Sequence, residues 1–238
     1  MKNMFFLFVV LAASFFPVSL SVCSGEMERS FSNPRLVTEP GPGHENRARI
    51  DKARALMSQK RYEAALTVLE RVIAELEAKP AGVYVSSATR EEARRYAEEI
   101  GNPDVIWLDW SYRQAYFLKA FIATELNDHE KALRLLAKVK ELSPGDPNAW
   151  CETGNIFNLT GRPEEALAQY RRAYSLSKDD VNRTDYAALA LRGMGFAYIE
   201  LGELEKAGDA YRESLKLNPG NRIAIKELIY LDRLRRRR

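Results

Sequence analysis

The chain has 238 residues, enough for one sizeable domain or for a stack of helical repeats with a continuous core. Its 36 Lys and Arg residues against 33 Asp and Glu residues give a net charge of +3, with both signs interspersed, so nothing in the charge indicates a nucleic-acid-binding protein. The hydrophobic share of 46% and the charged share of 29% are typical of a folded globular protein and exclude wholesale disorder.

The first 24 residues have the layout of a secretory signal peptide. Lys2 supplies a positive charge, an apolar run follows over residues 4–16, and Pro17 breaks that run ahead of several small residues. We therefore expect export by the Sec route and a location in the periplasm or cell envelope, or outside the cell. The alternative is an uncleaved anchor helix, because residues 4–22 approach the roughly 20 apolar residues that a bilayer core requires.

Cys23 leaves a second alternative open for the N-terminus. The sequence Leu20-Ser21-Val22-Cys23 is similar to the box that precedes the acylated cysteine of a bacterial lipoprotein, except that Val22 stands where a small residue is usual. Lipidation of Cys23 would tether the protein, and membrane contact is expected only if the N-terminus is retained or lipidated. Two cysteines cannot build the disulfide framework of a small secreted fold, so helix packing has to supply the stability.

Residues 25–46 are predicted to form a flexible linker, because prolines and glycines cluster there without periodicity. The folded body is expected over residues 47–238. It consists of runs of 12 to 20 residues in which apolar side chains recur every three or four positions, the pattern of amphipathic helices. We find no convincing alternation of a β-strand.

Four segments of the body resemble one another around an alanine. Ala132 and Ala166 are 34 residues apart, Ala166 and Ala207 are 41 apart, and Ala65 and Ala132 are 67 apart, one short of twice 34. A period of 34 residues is that of a helix-turn-helix repeat in which small residues lie where two helices cross. The repeats are predicted at residues 46–79, 113–146, 147–180 and 188–221.

The third of these segments resembles the tetratricopeptide-repeat (TPR) family. Trp150, Gly154, Phe157, Ala166 and Tyr170 stand at the spacing W-x2-L-G-x2-Y…A-x3-F, although a threonine replaces the usual leucine. The resemblance implies an all-α fold, a right-handed α-solenoid of about four TPR-like helix-turn-helix repeats. The positions expected to pack the repeats are Ala120, Ala132, Trp150, Gly154, Ala166, Tyr170, Gly195, Tyr198, Ala207 and Tyr211.

Two interruptions and one addition depart from the regular period. A helix is predicted over residues 86–100, begun by a capping box at Thr89 and followed by an aromatic stretch over residues 107–121 that is expected to be core or, if exposed, a partner site. Seven extra residues around 178–185 lengthen the step between the last two repeats. Either interruption is a place for a partner-specific surface. A capping helix is predicted at 221–236, ending in an arginine-rich tail.

The sequence gives no sign of catalytic chemistry. It contains no HExxH, no Gly-x-Ser-x-Gly and no Gly-x-x-x-x-Gly-Lys motif, and its only histidines are His44 and His129. We therefore predict a protein that is not an enzyme, with no metal and no cofactor.

Resemblance to the TPR family implies a protein-binding scaffold or adaptor, because the first helices of such repeats line an inner, concave face that commonly binds a peptide or helix. The residues placed on that face are Arg47, Arg54, Phe117, Phe121, Asn155, Asn158, Arg192 and Phe196. Cys151 stands where a lysine of the chaperone-type carboxylate clamp would be, so that clamp is not expected. The expected partner is another protein, not a nucleic acid. The alternatives are a membrane-tethered TPR lipoprotein serving envelope or secretion-machine assembly, and a small-ligand-binding protein or enzyme using the aromatic cleft near residues 107–121.

Overall fold

The computed structural model describes residues 37–38, 43–99 and 104–236. The predicted signal peptide, Cys23 and most of the predicted linker lie outside the described residues. Within those ranges none of the helices is both long and apolar enough to span a bilayer.

The described part of the chain is mostly helical, with ten α-helices and three short strands. In chain order these are β1 (Val37–Thr38), α1 (Gly43–Ser58), α2 (Tyr62–Glu77), β2 (Val83–Ser87), α3 (Arg90–Glu99), β3 (Val105–Asp109), α4 (Ser111–Glu125), α5 (His129–Leu142), α6 (Pro147–Leu159), α7 (Pro163–Ser177), α8 (Thr184–Glu200), α9 (Leu204–Leu217) and α10 (Arg222–Arg235). A single turn of 3-10 helix, Val181–Arg183, precedes α8.

Eight of the helices form four consecutive pairs: α1 with α2, α4 with α5, α6 with α7, and α8 with α9. Each pair packs on the next, since α2 contacts α4, α5 contacts α6 and α7 contacts α8, and α10 packs on α9. The first helices of neighbouring pairs also touch, as α1 does with α4 and α6 with α8. This is the predicted TPR-like solenoid.

The turns inside the four pairs have the same backbone conformation. Lys60, Asn127, Gly161 and Gly202 each occupy the second position between the two helices, and each has a positive φ, between 58° and 76°. Left-handed backbone favours glycine, which two of the four turns supply. The shared geometry places α1 and α2 in the same register as the other pairs, although their sequence pattern is the weakest.

Glycines facing tyrosine rings explain how closely the helices of the last two pairs approach. A Cβ built on Gly154 of α6 would lie 2.9 Å from the ring of Tyr170, and one built on Gly195 of α8 would lie 2.8 Å from the ring of Tyr211. A Cβ on Gly193 would overlap the other side of the Tyr170 ring. The ring of Tyr170 is thus held between α6 and α8. Gly193 was not identified from the sequence.

The remaining positions predicted to pack the repeats lie in the helix interfaces. The alanines and Tyr211 are at most 1% exposed, Tyr170 is 4% exposed, and Trp150 and Tyr198 are partly buried. The Trp150 Nε1 donates to the carbonyl of Pro144 at 3.0 Å, which fixes its ring at the start of α6.

The insertion between the first two pairs differs from the prediction, because it is a βαβ unit. β2 and β3 are parallel and joined through α3, and β1 pairs with the other edge of β3, giving a parallel sheet of order β1-β3-β2. The helix predicted over 86–100 begins only at Arg90; Ser86 and Ser87 are the last residues of β2. The expectation of no strand was wrong because short, buried parallel strands read as apolar runs, without alternation.

The chain ends in the predicted capping helix. The Asn221 side chain accepts from the backbone N–H of Ala224 at 3.0 Å and begins α10, which buries Ala224 and Leu231 against α9. Its outer side carries Ile223, Ile225 and Ile229, each between 39% and 48% exposed.

Candidate functional site

The inner face is defined here as the surface of the first helices, α1, α4, α6 and α8. Phe117 and Phe121 of α4, Asn155 of α6, and Arg192 and Phe196 of α8 are all partly buried. Residues spaced by four lie on the same side of a helix, so Phe117 with Phe121, and Arg192 with Phe196, form two neighbouring pairs on that surface. These five predicted residues stay partly open while the helix cores close behind them.

Arg192 is the least satisfied charged group of the inner face. Its Nη1 is buried without a hydrogen-bond acceptor, and the guanidinium makes no ion pair with any described residue. Burial lowers the pKa of Arg192, while the nearby Cys151, Asp185 and Tyr211 act in the opposite direction. A guanidinium held in this state favours an added carboxylate, with which it can form a charge-assisted hydrogen bond.

Glu152, on α6, is a second charged group in a partly buried position. Burial raises its pKa to about 7, and a hydrogen bond from Asn155 opposes that shift. Near neutral pH the carboxyl therefore exchanges between its neutral and charged forms. The neighbouring thiol of Cys151 is buried, and burial raises its pKa well above the ordinary value.

Asn158 does not belong to the open surface, contrary to the prediction. It is 8% exposed, and its amide donates to the Tyr170 hydroxyl at 3.5 Å and to the Gly193 carbonyl at 3.4 Å. It joins α6, α7 and α8 in the interior, because the close approach of the Tyr170 ring brings these acceptors within its reach.

The two arginines predicted on α1 have partners within the chain. Arg47 donates from Nε and Nη2 to Oδ2 of Asp109, at 2.9 and 2.5 Å, and so links α1 to the end of β3. Arg54 pairs with Asp51 at 3.3 Å and lies 5.6 Å above the ring centre of Trp110. Both side chains face the insertion.

The aromatic stretch over residues 107–121 is largely core. Tyr112 and Tyr116 are buried, Trp107 packs with the residues of the insertion, and only Phe117 and Phe121 lie on the inner face. Within the described residues no group of three or more His, Cys, Asp or Glu side chains is arranged to hold a metal ion.

A cavity of about 440 Å³ lies where the two interruptions of the repeat period meet. Arg183, in the lengthened step before α8, reaches back 91 residues to Glu92 of α3, with Nη2 and Oε1 3.1 Å apart. It also donates from Nη1 to the carbonyl of Gly145, at 2.7 Å, in the turn between α5 and α6. Arg113 of α4 pairs with Asp146 of the same turn.

The lining of this cavity comes from separated parts of the sequence. It consists of Val85, Ser87, Glu92, Arg95, Tyr96, Arg113, Gln114, Ser143, Pro144, Gly145, Asp146, Pro147, Asn148, Leu176, Arg183 and Tyr186. Sequence reasoning marked both interruptions as candidate surfaces but did not bring them together. The only sequence signal was that the two departures from the 34-residue period flank the same two repeats.

Comparison with known proteins identifies the repeats. Tetratricopeptide-repeat family models match residues 114–146 and 145–219. The human protein O-mannosyl-transferase TMTC1 is 27% identical over 187 residues, which are 74% of this chain and 20% of that protein. Protein bimA of Emericella nidulans is 26% identical over 98 residues, 41% of this chain and 11% of that protein. The chain therefore spans a fifth or less of the length of these relatives.

A solved structure supports the same architecture over a larger part of the chain. MamA from Desulfovibrio magneticus RS-1, from residue 41 to its end, has a TM-score of 0.52 at 16% identity, and the match covers 82% of this chain and 86% of that one. At this identity the likeness concerns the fold alone. Residues 114–219 of this chain therefore consist of tetratricopeptide repeats, within a longer TPR-like solenoid.

Proposed function

We propose that this chain is a non-catalytic protein-interaction scaffold whose inner face holds a peptide or a helix of another protein. The observation that carries the proposal is the unpaired guanidinium of Arg192 beside the partly open ring of Phe196. A buried donor without an acceptor is unfavourable, and a partner that supplied a carboxylate would satisfy it.

The inner face also indicates the chemistry of the partner. Phe117, Phe121 and Phe196 offer apolar contact, and Asn155 offers an amide beside them. A segment carrying both apolar side chains and at least one carboxylate fits this combination, in the manner of peptides and helices that dock in grooves between helices. The role is argued from these side chains, because the same fold serves many functions.

The proposal includes export of the protein, on the evidence of the first 24 residues. A cleaved signal peptide would leave a scaffold free in the periplasm or envelope, or secreted. A lipidated Cys23 would instead make it a membrane-tethered lipoprotein. The intact mass of the protein purified from its host distinguishes these: loss of about two dozen residues supports cleavage, an acyl adduct supports the lipoprotein, and a full-length mass contradicts both.

Partner capture tests the binding face. The tagged protein is cross-linked in its host and purified, and the co-purifying proteins are quantified for the wild type and for Arg192→Glu, Phe196→Ala and Arg71→Glu. Arg71 is exposed on α2 and serves as the control for charge reversal away from the inner face. We expect the two inner-face variants to lose a partner that the control retains. Equal capture by all variants would contradict binding at this face.

A further inference from the structure

The geometry points to a second binding site: we infer that the cavity between the βαβ insertion and the α5–α6 turn binds a carboxylate-bearing segment of a protein partner. This inference rests on the proposed function, because it assigns part of that partner's recognition to a different place in the chain. The site exists only because the insertion and the lengthened step before α8 meet there.

The acceptors of the cavity are already occupied. Asp146 accepts the N–H of Asn148 on Oδ1 at 3.0 Å, and its Oδ2 pairs with Arg113. Glu92 accepts the N–H of Ala88 on Oε2 at 3.1 Å, and its Oε1 pairs with Arg183. Both carboxylates therefore have a partner on each oxygen, and neither is free to take a cation from outside.

The donors of the cavity are not used up in the same way. Arg95 is exposed at the cavity wall and makes no ion pair with any described residue, and the Nε of Arg113 is buried without an acceptor. The amides of Gln114 and Asn148 and the hydroxyl of Tyr186 line the same space, with no side-chain hydrogen bond to another described residue. An excess of free donors, two of them on arginines, selects a ligand rich in acceptors and negatively charged.

The walls and the size restrict the ligand further. Three arginines face two carboxylates, so the lining carries a net positive charge. Val85, Leu176 and two prolines give the cavity apolar wall beside these charges. A volume of about 440 Å³ accommodates one or two side chains or a chain end, not a folded element. An acidic residue with its aliphatic stem fits this mixture.

The cavity also adjoins the inner face. The buried thiol of Cys151, on the first turn of α6, experiences the charges of both Asp146, in the cavity wall, and Arg192, on the inner face. One extended segment of a partner can therefore reach both places. In that arrangement the repeats provide the general groove and the interruptions select an acidic residue.

Titration with small probes tests the cavity without knowledge of the partner. The protein is titrated with N-acetylglutamine, which carries a chain-end carboxylate, with N-acetylglutamate α-amide, which carries a side-chain carboxylate, with neutral N-acetylglutaminamide, and with inorganic phosphate. NMR signals of the Arg95 guanidinium and the Tyr186 ring report binding. We expect saturable shifts with at least one carboxylate probe and none with the neutral amide, and the probe that binds identifies the source of the carboxylate.

The variants Arg95→Gln, Arg95→Lys and Arg71→Gln complete the test. Since Arg95 makes no ion pair with a described residue, its variants should unfold like the wild type. Arg95→Gln is expected to weaken carboxylate binding about tenfold, the loss of one charge-assisted hydrogen bond, while Arg95→Lys and Arg71→Gln retain most of it. Binding of phosphate alone, of the neutral amide equally, or of carboxylates undiminished by Arg95→Gln would overturn the inference. Such a result leaves the Arg192→Glu capture experiment unaffected, so the two proposals fail separately.

Discussion

The helices from α6 to α9 and the insertion between α2 and α4 are held in place by different kinds of contact. In the first region, glycines press against tyrosine rings and the helices approach closely over a small-residue interface. In the second, a parallel sheet is tied to the repeats by ion pairs at its rim, through Arg47–Asp109 and Arg183–Glu92. Packing of the first kind tolerates little change in volume, whereas contacts of the second kind weaken gradually when one charge is removed.

The comparison shows how a repeat array acquires a local site. Regular repeats present a continuous face, whose shape follows from the period. An insertion alone would add only a separate unit beside that face. Here the second interruption supplies Arg183, which bonds both to the insertion and to the α5–α6 turn, and the space enclosed between them is the charged cavity.

The largest effect is expected in the regular region, for Gly193→Ala. The added methyl group would overlap the Tyr170 ring, which is already in contact with Gly154 on its other side. Overpacking should lower the free energy of unfolding by about 3 kcal/mol, after the gain in helix propensity from alanine. Urea denaturation measures the change. Gly220→Ala is the control, because a Cβ there meets no atom within 4 Å; equal stability of the two variants would contradict this packing.

Glu152→Gln is expected to stabilise the protein, and only above the acid range. Burial raises the pKa of Glu152 in the folded state to about 7 from its ordinary 4.5, so the folded state holds a proton that the unfolded state loses between these values. Stability therefore falls as pH rises from 4.5 to 7. At pH 8 the glutamine should add about 2 kcal/mol, and near pH 4 nothing. Thermal unfolding across this range would show a parallel pair of curves if the prediction were wrong.

A smaller effect is expected where the two interruptions meet. Arg183→Gln and Glu92→Gln each remove one side of a partly buried ion pair, and a double-mutant cycle should give a coupling free energy of about 1 kcal/mol. Arg134 and Glu130, an exposed pair at 3.8 Å within α5, provide the matched cycle, for which we expect a coupling near zero. A coupling across Arg183 and Glu92 no larger than that of the control would mean that the interruptions are not linked.

The smallest effect concerns the turn between α1 and α2. Lys60 has a φ of 58°, where a side chain is strained and glycine is not. Lys60→Gly should therefore raise the free energy of unfolding by about 0.5 kcal/mol, the strain relieved less the added entropy of the unfolded chain. Asn127→Gly should change it less, because asparagine tolerates this conformation better. A destabilised Lys60→Gly variant would contradict the left-handed turn.

Most of the helical architecture was predictable, for a physical reason that particular residues illustrate. Gly154 and Ala166 are small because two helices cross there, and that requirement returns with every repeat, so it leaves a period in the sequence. The turn at Lys60 shows the limit: its conformation matches the other turns, but a lysine gives no signal of it. Gly193 gave no periodic signal either, because only one repeat places a tyrosine ring against that position.

The insertion and its cavity were not predictable in the same way. β2 and β3 are five residues long, and their apolar runs fit a buried strand or a piece of helix equally well. The cavity depends on the contact between Arg183 and Glu92, and the sequence contains no record of that distance. On the inner face, Arg192 and Phe196 could be placed by their spacing, whereas Asn158 is buried by a ring whose position only the fold reveals.

Site-specific photo-cross-linking tests the central claim, binding of a partner on the inner face, most directly. A photoreactive phenylalanine analogue replaces Phe196 on α8 in one variant and Leu217 at the end of α9 in another; Leu217 is 38% exposed and lies on a second helix. Both proteins are irradiated in the native host and the adducts are identified by mass spectrometry. The account predicts a protein adduct at position 196 that is absent at 217. An adduct at 217 alone would place the partner on the outer helices and contradict the account.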